Sequence, residues 1–262
     1  MALFISNIIK IIRKYGTSLL LGIRTTLSVA LTGTLAGLVI GLIVGGIRAV
    51  KPDHNASPAA RILKKIVNMI LGIYISIFRG TPMMVQALFI YYLLLDALHW
   101  SCLQAAMVVI SVNTGAYMAE IIRSGIQSVD VGQSEAARAL GMSNRQTMMK
   151  VILPQALKNA FPAVGNELIV NIKDSSVLMI ISITELMFQA KSIAGSTFLF
   201  TETYFLEALI YFLLTAAASI ILNFIEKRIS QDSMSLPMSN TNPHSMALAM
   251  SGRNEGDRHV IG

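Results

Sequence analysis

The chain has 262 residues, of which 54% are apolar and only 13% charged, and its mean hydropathy is +0.63. A water-soluble domain carries about 25% charged residues, so about half the usual solvated surface is missing, and a soluble enzyme is excluded in favour of a polytopic membrane protein. A lone cysteine, Cys102, excludes an internal disulfide or a cysteine metal cluster, four scattered histidines have no ligand spacing, and the net charge of +7 sits in short stretches between apolar runs, which fits membrane topology better than nucleic acid.

From Met1 to about Thr17, Ile and Leu recur at helical intervals around Lys10, Arg13 and Lys14, which predicts a separate amphipathic interfacial helix over 1–17. No Ala-x-Ala-like site follows Leu19–Leu21, so the segment is not read as a cleaved leader. A first spanning helix is expected from Leu27 to Ile47, with Gly33, Gly37, Gly41 and Gly45 forming a smooth ridge for close packing. A basic stretch interrupted by Pro52-Asp53-His54-Asn55 and Pro58 leads to a second apolar region, Ile66 to Leu98. Phe78-Arg79-Gly80-Thr81-Pro82 breaks that region into a bent helix or a helix pair. Further spans are expected at about Leu103–Ile122, Ala163–Leu186 and Phe205–Ile225.

The fold class that follows is all-α, a polytopic transmembrane bundle of about five spans over residues 18–229. Residues 230–262, without periodic apolar positions, are expected to be a disordered tail. Lys and Arg cluster in 48–65, 123–158 and 227–228, while 96–102 and 196–204 contain none. The positive-inside rule puts the first set and the C-terminus in the cytoplasm and the N-terminus outside, although Lys10, Arg13 and Lys14 then stand against the rule.

The loop 132–157 reads GQSEAARALGMSNRQTMMKVILPQAL. Asp130 or Ser134 can cap a first short helix and Gly141 can end it; Ser143 with Gln146 resembles a capping box for a second. The first helix is expected to expose Ala136, Ala137 and Ala139 to a partner, oriented by Glu135 and Arg138. Glu135-Ala136-Ala137, Gly141 six residues after the Glu, and Val151-Ile152-Leu153-Pro154 resemble the EAA loop of the permeases of ATP-binding cassette (ABC) importers, with Val151 where that pattern has Ile. Phe78 to Gln86, Gly115 to Arg123 and Lys173-Asp174-Ser175-Ser176 are similar to stretches of the polar amino-acid uptake permeases of the histidine, glutamine and arginine type.

That resemblance implies the type I ABC importer permease fold in a prokaryotic inner membrane, and a multi-pass subunit that translocates a polar amino acid. It implies as partners an ABC ATPase subunit docked on Glu135, Ala136, Ala137, Gly141, Leu153 and Pro154, an extracytoplasmic solute-binding protein, and a second permease, either a copy or a sister chain. The chain lacks a Gly-x-x-x-x-Gly-Lys-Ser/Thr loop, so ATP is expected on the partner and no cofactor on this chain; no catalytic site is expected. An ion-gradient-driven amino-acid transporter is the rival expectation, although no internal repeat supports it.

Charges within spans are costly, roughly 2.5–3.5 kcal/mol each on insertion scales, so each needs a partner or a pathway. Glu167, Asn171 and Asp174 share a helix face and, with Ser175 and Glu120, are the candidate substrate-pathway residues; Lys173 or a helix N-terminus would take the carboxylate of the solute. Glu185 is a further intramembrane carboxylate without an assigned role. Glu120 can instead pair with Arg123, three residues on, and Arg79 can shape the helix break or touch the substrate.

Overall fold

The computed structural model describes residues 1–50 and 57–231; the break expected at Pro52–Asn55 and the tail beyond 231 lie outside the described residues. The chain divides into two units, Met1–Glu226 and Lys227–Gly262. Among the described residues nine α-helices run in order: α1 (Ala2–Ala49), α2 (Pro58–Gly80), α3 (Met83–Leu98), α4 (Cys102–Gln127), α5 (Val131–Ala139), α6 (Asn144–Thr147), α7 (Leu153–Asp174), α8 (Leu186–Thr197) and α9 (Phe200–Gln231). A π-helical turn, Met148–Ile152, joins α6 to α7, and a 3-10 segment, Ser175–Ile181, follows α7. Among the described residues, helices α1, α4 and α9 are each long and apolar enough to cross a membrane; counting the bent pair α2–α3 and the bent path from Asn144 to Thr197 as one span each gives up to five.

Local chemistry explains the boundaries. The Ser57 hydroxyl accepts from Ala60 N at the start of α2, where Pro58 occupies the first turn and therefore starts a helix. Ser101 and Gln104 form a reciprocal capping box on α4. Residues 1–17 are not a separate element. No proline separates them from the first span, Gly16 meets nothing within 4 Å, and α1 continues for 48 residues, about 72 Å at the α-helical rise. Its first half is held by packing: Ile11 and Leu19 are buried with Leu186, Ile193 and Leu206, and Asn7 Nδ2 donates to Glu202 at 2.9 Å.

The glycine ridge packs on α4. A Cβ added at Gly33 would lie 2.7 Å from Ile110, at Gly37 2.8 Å from Thr114, at Gly41 2.3 Å from Met118 and at Gly45 2.6 Å from the Ala119 carbonyl. Both sets of numbers rise together, so α1 and α4 run parallel. Gly115 and Gly125 repeat the device on other faces of α4, against Ile40 with Tyr74 and against Ala156. Beside the ridge, Asn171 of α7 accepts from Thr114 Oγ1 and donates to Thr34 Oγ1, each at 2.9 Å. At the outset of α8, the fully buried Glu185 accepts from Met187 N, Phe188 N and the Tyr211 hydroxyl at 2.9, 2.7 and 2.9 Å. That resolves the unassigned carboxylate as a helix cap that also ties α9 to α8.

Replacing Gly41 with Leu forces a branched side chain into Met118 and its backbone, at a cost of about 3 kcal/mol. Gly46→Ala meets open space and is expected to be neutral. Yield of monodisperse protein and its thermal midpoint in detergent compare the two; equal behaviour would refute the seam.

Candidate functional site

The loop between α4 and α7 folds as a compact knob. Asp130 Oδ1 accepts from Gly132 N at 2.8 Å and starts α5. Gly141 ends the turn at φ +80°, a left-handed conformation that favours glycine. Ser143 and Gln146 form the expected capping box on α6. Pro154 has no N–H to give to the preceding turn, and the π-helical turn Met148–Ile152 stands immediately before it. Thr147, Met148 and Leu153 all keep right-handed helical backbone, so the path from Asn144 to Asp174 continues through the joint.

Of the residues expected to meet a partner, Glu135, Ala136, Ala139, Gly141 and Pro154 are exposed and Leu153 is half-buried. Ala137 is corrected: it is 4% exposed and faces inward, because a nine-residue helix lying on the π-turn buries one side. Beneath the knob, Val129, Ile152 and Ala156 form the apolar seat. Arg138 reaches back to the Ser134 carbonyl and hydroxyl, both at 3.1 Å. Leu140, 84% exposed, is an apolar tip that the sequence reading passed over.

Above the knob, α2, α4 and α7 enclose a cleft of about 530 Å³. Arg79 enters from α2; Tyr117, Glu120, Arg123 and Ser124 from α4, with Ser128 at its C-cap; Asn159 and Glu167 from α7. Arg79 lies over the Tyr117 ring, 5.4 Å from its centroid. Glu120 is doubly held, by Arg48 Nη1 at 2.5 Å and by Arg123 Nη2 at 2.7 Å, while Arg123 Nη1 also donates to Gln127 at 2.7 Å. Ser128 accepts from Asn159 Nδ2 at 2.9 Å. Once Glu120 and the arginines that hold it are paired off, Arg79 and Glu167 remain as opposite charges lining one cleft, with no ion pair between them among the described residues.

The expected stripe of Glu167, Asn171 and Asp174 is therefore divided. Glu167 lines the cleft and Asp174 does not. Asn171, 3% exposed, is occupied by the two threonines, and Ser175, fully buried, donates to the Ile172 carbonyl at 2.9 Å. Shared helical phase did not give shared surroundings, because α1 and α4 cover one turn of α7 and leave another open. Tyr117, Ser124, Ser128 and Asn159 were missed. Their signal was present: Tyr117, Glu120, Ser124 and Ser128 follow helical spacing, as do Asn159, Ala163 and Glu167.

Several apolar spans, an open cleft lined in part by charged and hydroxyl side chains, and a helical knob between spans fit a multi-pass membrane component. The family described as "Binding-protein-dependent transport system inner membrane component" matches residues 37–231, and the chain belongs to it. It is similar to the glutamine transport system permease protein GlnP of Escherichia coli K12, 38% identical over 63% of this chain and 76% of that protein. It is also similar to the arginine transport system permease protein ArtQ of Bacillus subtilis, 39% identical over 62% and 73%. A crystal structure of an amino acid ABC transporter with histidines has a chain of TM-score 0.73 and 36% identity, covering 83% of this chain and 96% of that one. The methionine ABC transporter MetNI in an inward-facing form shares the fold at TM-score 0.61 and 24% identity, over 79% and 95%.

Glu120→Gln leaves Arg48 and Arg123 facing one another without a carboxylate. Its thermal midpoint is expected to fall further than that of Asp174→Asn, whose carboxylate joins no ion pair among the described residues, as measured on purified protein. A larger drop in Asp174→Asn would contradict the assignment.

Proposed function

We propose that this chain is the pathway-forming subunit of an ABC importer for a polar amino acid. Its knob takes up the motion of a separate ATPase, and its cleft holds the solute. The carrying observation is continuity: the helical path that begins in the knob at Asn144 runs on to Asp174 and carries Glu167 on the way. A displacement applied to the knob therefore moves a wall of the cleft. The exposed faces of Glu135, Ala136 and Ala139 with Leu140 are the surface offered to the ATPase. Ala137, Leu153 and Pro154 act behind it by seating the knob and setting the π-turn.

ATP is bound and hydrolysed by that partner, and this chain supplies no phosphate site. ATP-driven closure of the partner pair would swing the knob as a rigid body between two access states. The excess of Lys and Arg at the knob and at the end of α9 supports a cytoplasmic knob and C-terminus. The likeness to glutamine and arginine permeases supports an inner-membrane complex with an external solute-binding protein and a second permease.

Within the cleft, charge decides the orientation of the solute. An amino acid carries a carboxylate and an ammonium group on one carbon, and Arg79 with Glu167 offers the opposite charge to each. Asp174, half-buried at the end of α7 beside Lys173, adds negative potential further along the path, while Asn171 and Ser175 hold the helix that presents Glu167. Glu120 keeps α1 and α4 together at the cleft edge.

Gly141→Val strains a left-handed residue by about 1–2 kcal/mol and reshapes the knob; Glu135→Lys reverses charge on its exposed face. In reconstituted vesicles both are expected to lower ATPase stimulation by loaded binding protein at least tenfold, with the chain still inserted. Normal stimulation would count against coupling through the knob. Glu167→Gln is expected to weaken uptake of arginine and of glutamine alike, about tenfold, because both carry the α-ammonium group, while Asp174→Asn weakens arginine more than glutamine. Unchanged uptake of both solutes in Glu167→Gln would remove the charge basis.

A further inference from the structure

The break between α2 and α3 has its own polar fastening. The two helices meet at 115°, so the carbonyls of the last turn of α2 lack the N–H groups that a continued helix would supply. Carbonyls freed at such a break need donors from neighbouring side chains wherever water is excluded. Thr81 Oγ1 donates to the Ile77 carbonyl at 2.8 Å. Gln86, on the first turn of α3 and 6% exposed, donates its amide to the Phe78 carbonyl, the Thr81 carbonyl and Thr81 Oγ1 at 3.0, 2.9 and 2.8 Å. Asn113 of α4, 8% exposed, donates to Gln86 Oε1 at 2.8 Å and to the Phe78 carbonyl at 3.3 Å.

Two features give this fastening a consequence beyond stability. Phe78, whose carbonyl is gripped from two sides, is the residue before Arg79. Asn113 is one helical turn from Tyr117, over whose ring the Arg79 guanidinium lies. The end of α2 is thus registered against α4 at the level where the cation enters the cleft. Tyr74, donating to the Val112 carbonyl at 2.6 Å, fixes the turn before it.

We propose that Gln86 and Asn113 are positioning residues, a clasp across the α2–α3 break that holds Arg79 at the angle needed to receive the carboxylate of the solute. The proposal rests on the reading of the Arg79–Glu167 cleft given above. Gln86 touches no solute; it acts through the backbone next to Arg79. Gln86→Glu keeps the shape of the side chain but removes its donors and turns a negative charge toward the Phe78 and Thr81 carbonyls. Asn113→Ser is too short to reach either partner, and it cannot overpack.

The test uses the purified permease–ATPase complex without binding protein, so that affinity reports the membrane site alone. Dissociation constants for labelled glutamine and arginine are measured by equilibrium dialysis for Arg79→Ala, Gln86→Glu, Asn113→Ser and the Arg79→Ala/Gln86→Glu pair, alongside thermal midpoints and basal ATPase activity. Gln86→Glu is expected to weaken binding of the probes about tenfold and Asn113→Ser about fivefold, with basal ATPase activity within twofold. On the Arg79→Ala background, Gln86→Glu should add nothing further, since its effect passes through that side chain. An equal additional loss on that background, or unchanged affinity in both clasp variants while Arg79→Ala weakens binding, overturns the positioning role and leaves the cleft intact. Unchanged affinity in Arg79→Ala itself overturns the cleft, and the clasp with it. If Gln86→Glu fails to assemble, Asn113→Ser alone decides by the same comparison.

Discussion

The bundle depends on how closely α1 and α4 approach. Without a hydrophobic drive between helices in lipid, association rests on van der Waals contact and interhelical hydrogen bonds, and both need backbones near one another. The four glycines of α1 remove the side chains that would hold it off, so that Ile110, Thr114, Met118 and the Ala119 carbonyl lie where a Cβ would otherwise be. Gly115 and Gly125 extend the same economy of volume around α4, which thereby touches α1, α2 and α7 on different faces. Every charged or polar contact of the cleft is measured from that central helix.

Polar side chains then give a slippery seam its register. At half the depth of α4, consecutive residues face two networks: Thr114 joins Asn171 and Thr34, while Asn113 joins Gln86 and the open end of α2. Glu120, about two turns on, draws Arg48 from the end of α1. Each bond is modest by itself, but a buried polar atom without a partner is expensive, so sliding α1, α2 or α7 along α4 would cost several groups together. These bonds hold the helices in register around the cleft.

A good deal was legible in the residues. The glycine interval on α1 named a packing ridge, the Phe78–Pro82 sequence named a break, and Asp130, Gly141 and Ser143 with Gln146 named the knob, because capping and left-handed backbone are local chemistry that needs no knowledge of neighbours. The pairing of Glu120 with Arg123 was likewise within reach from three-residue spacing. Two expectations failed for one reason. Ala137 was placed outward for its small side chain and Asn171 in the pathway for its helical phase, but neither feature says what lies against a face. The boundary expected at residue 17 failed similarly, because the N-terminal turns gain their packing from Leu186, Ile193 and Leu206, far along the chain.

The residues alone therefore settled composition-driven matters: a membrane bundle of about five spans, the positions of caps and breaks, and a loop with the form of a coupling element. These depend on hydropathy and on backbone preferences within a few residues. Only the tertiary structure decided which carboxylate faces open space, which amide is spent on holding helices together, that Arg48 reaches Glu120, and that Arg79 and Glu167 share a cleft. Those outcomes depend on helices that meet across long stretches of chain, where a rotation of one turn exchanges a buried side chain for an open one.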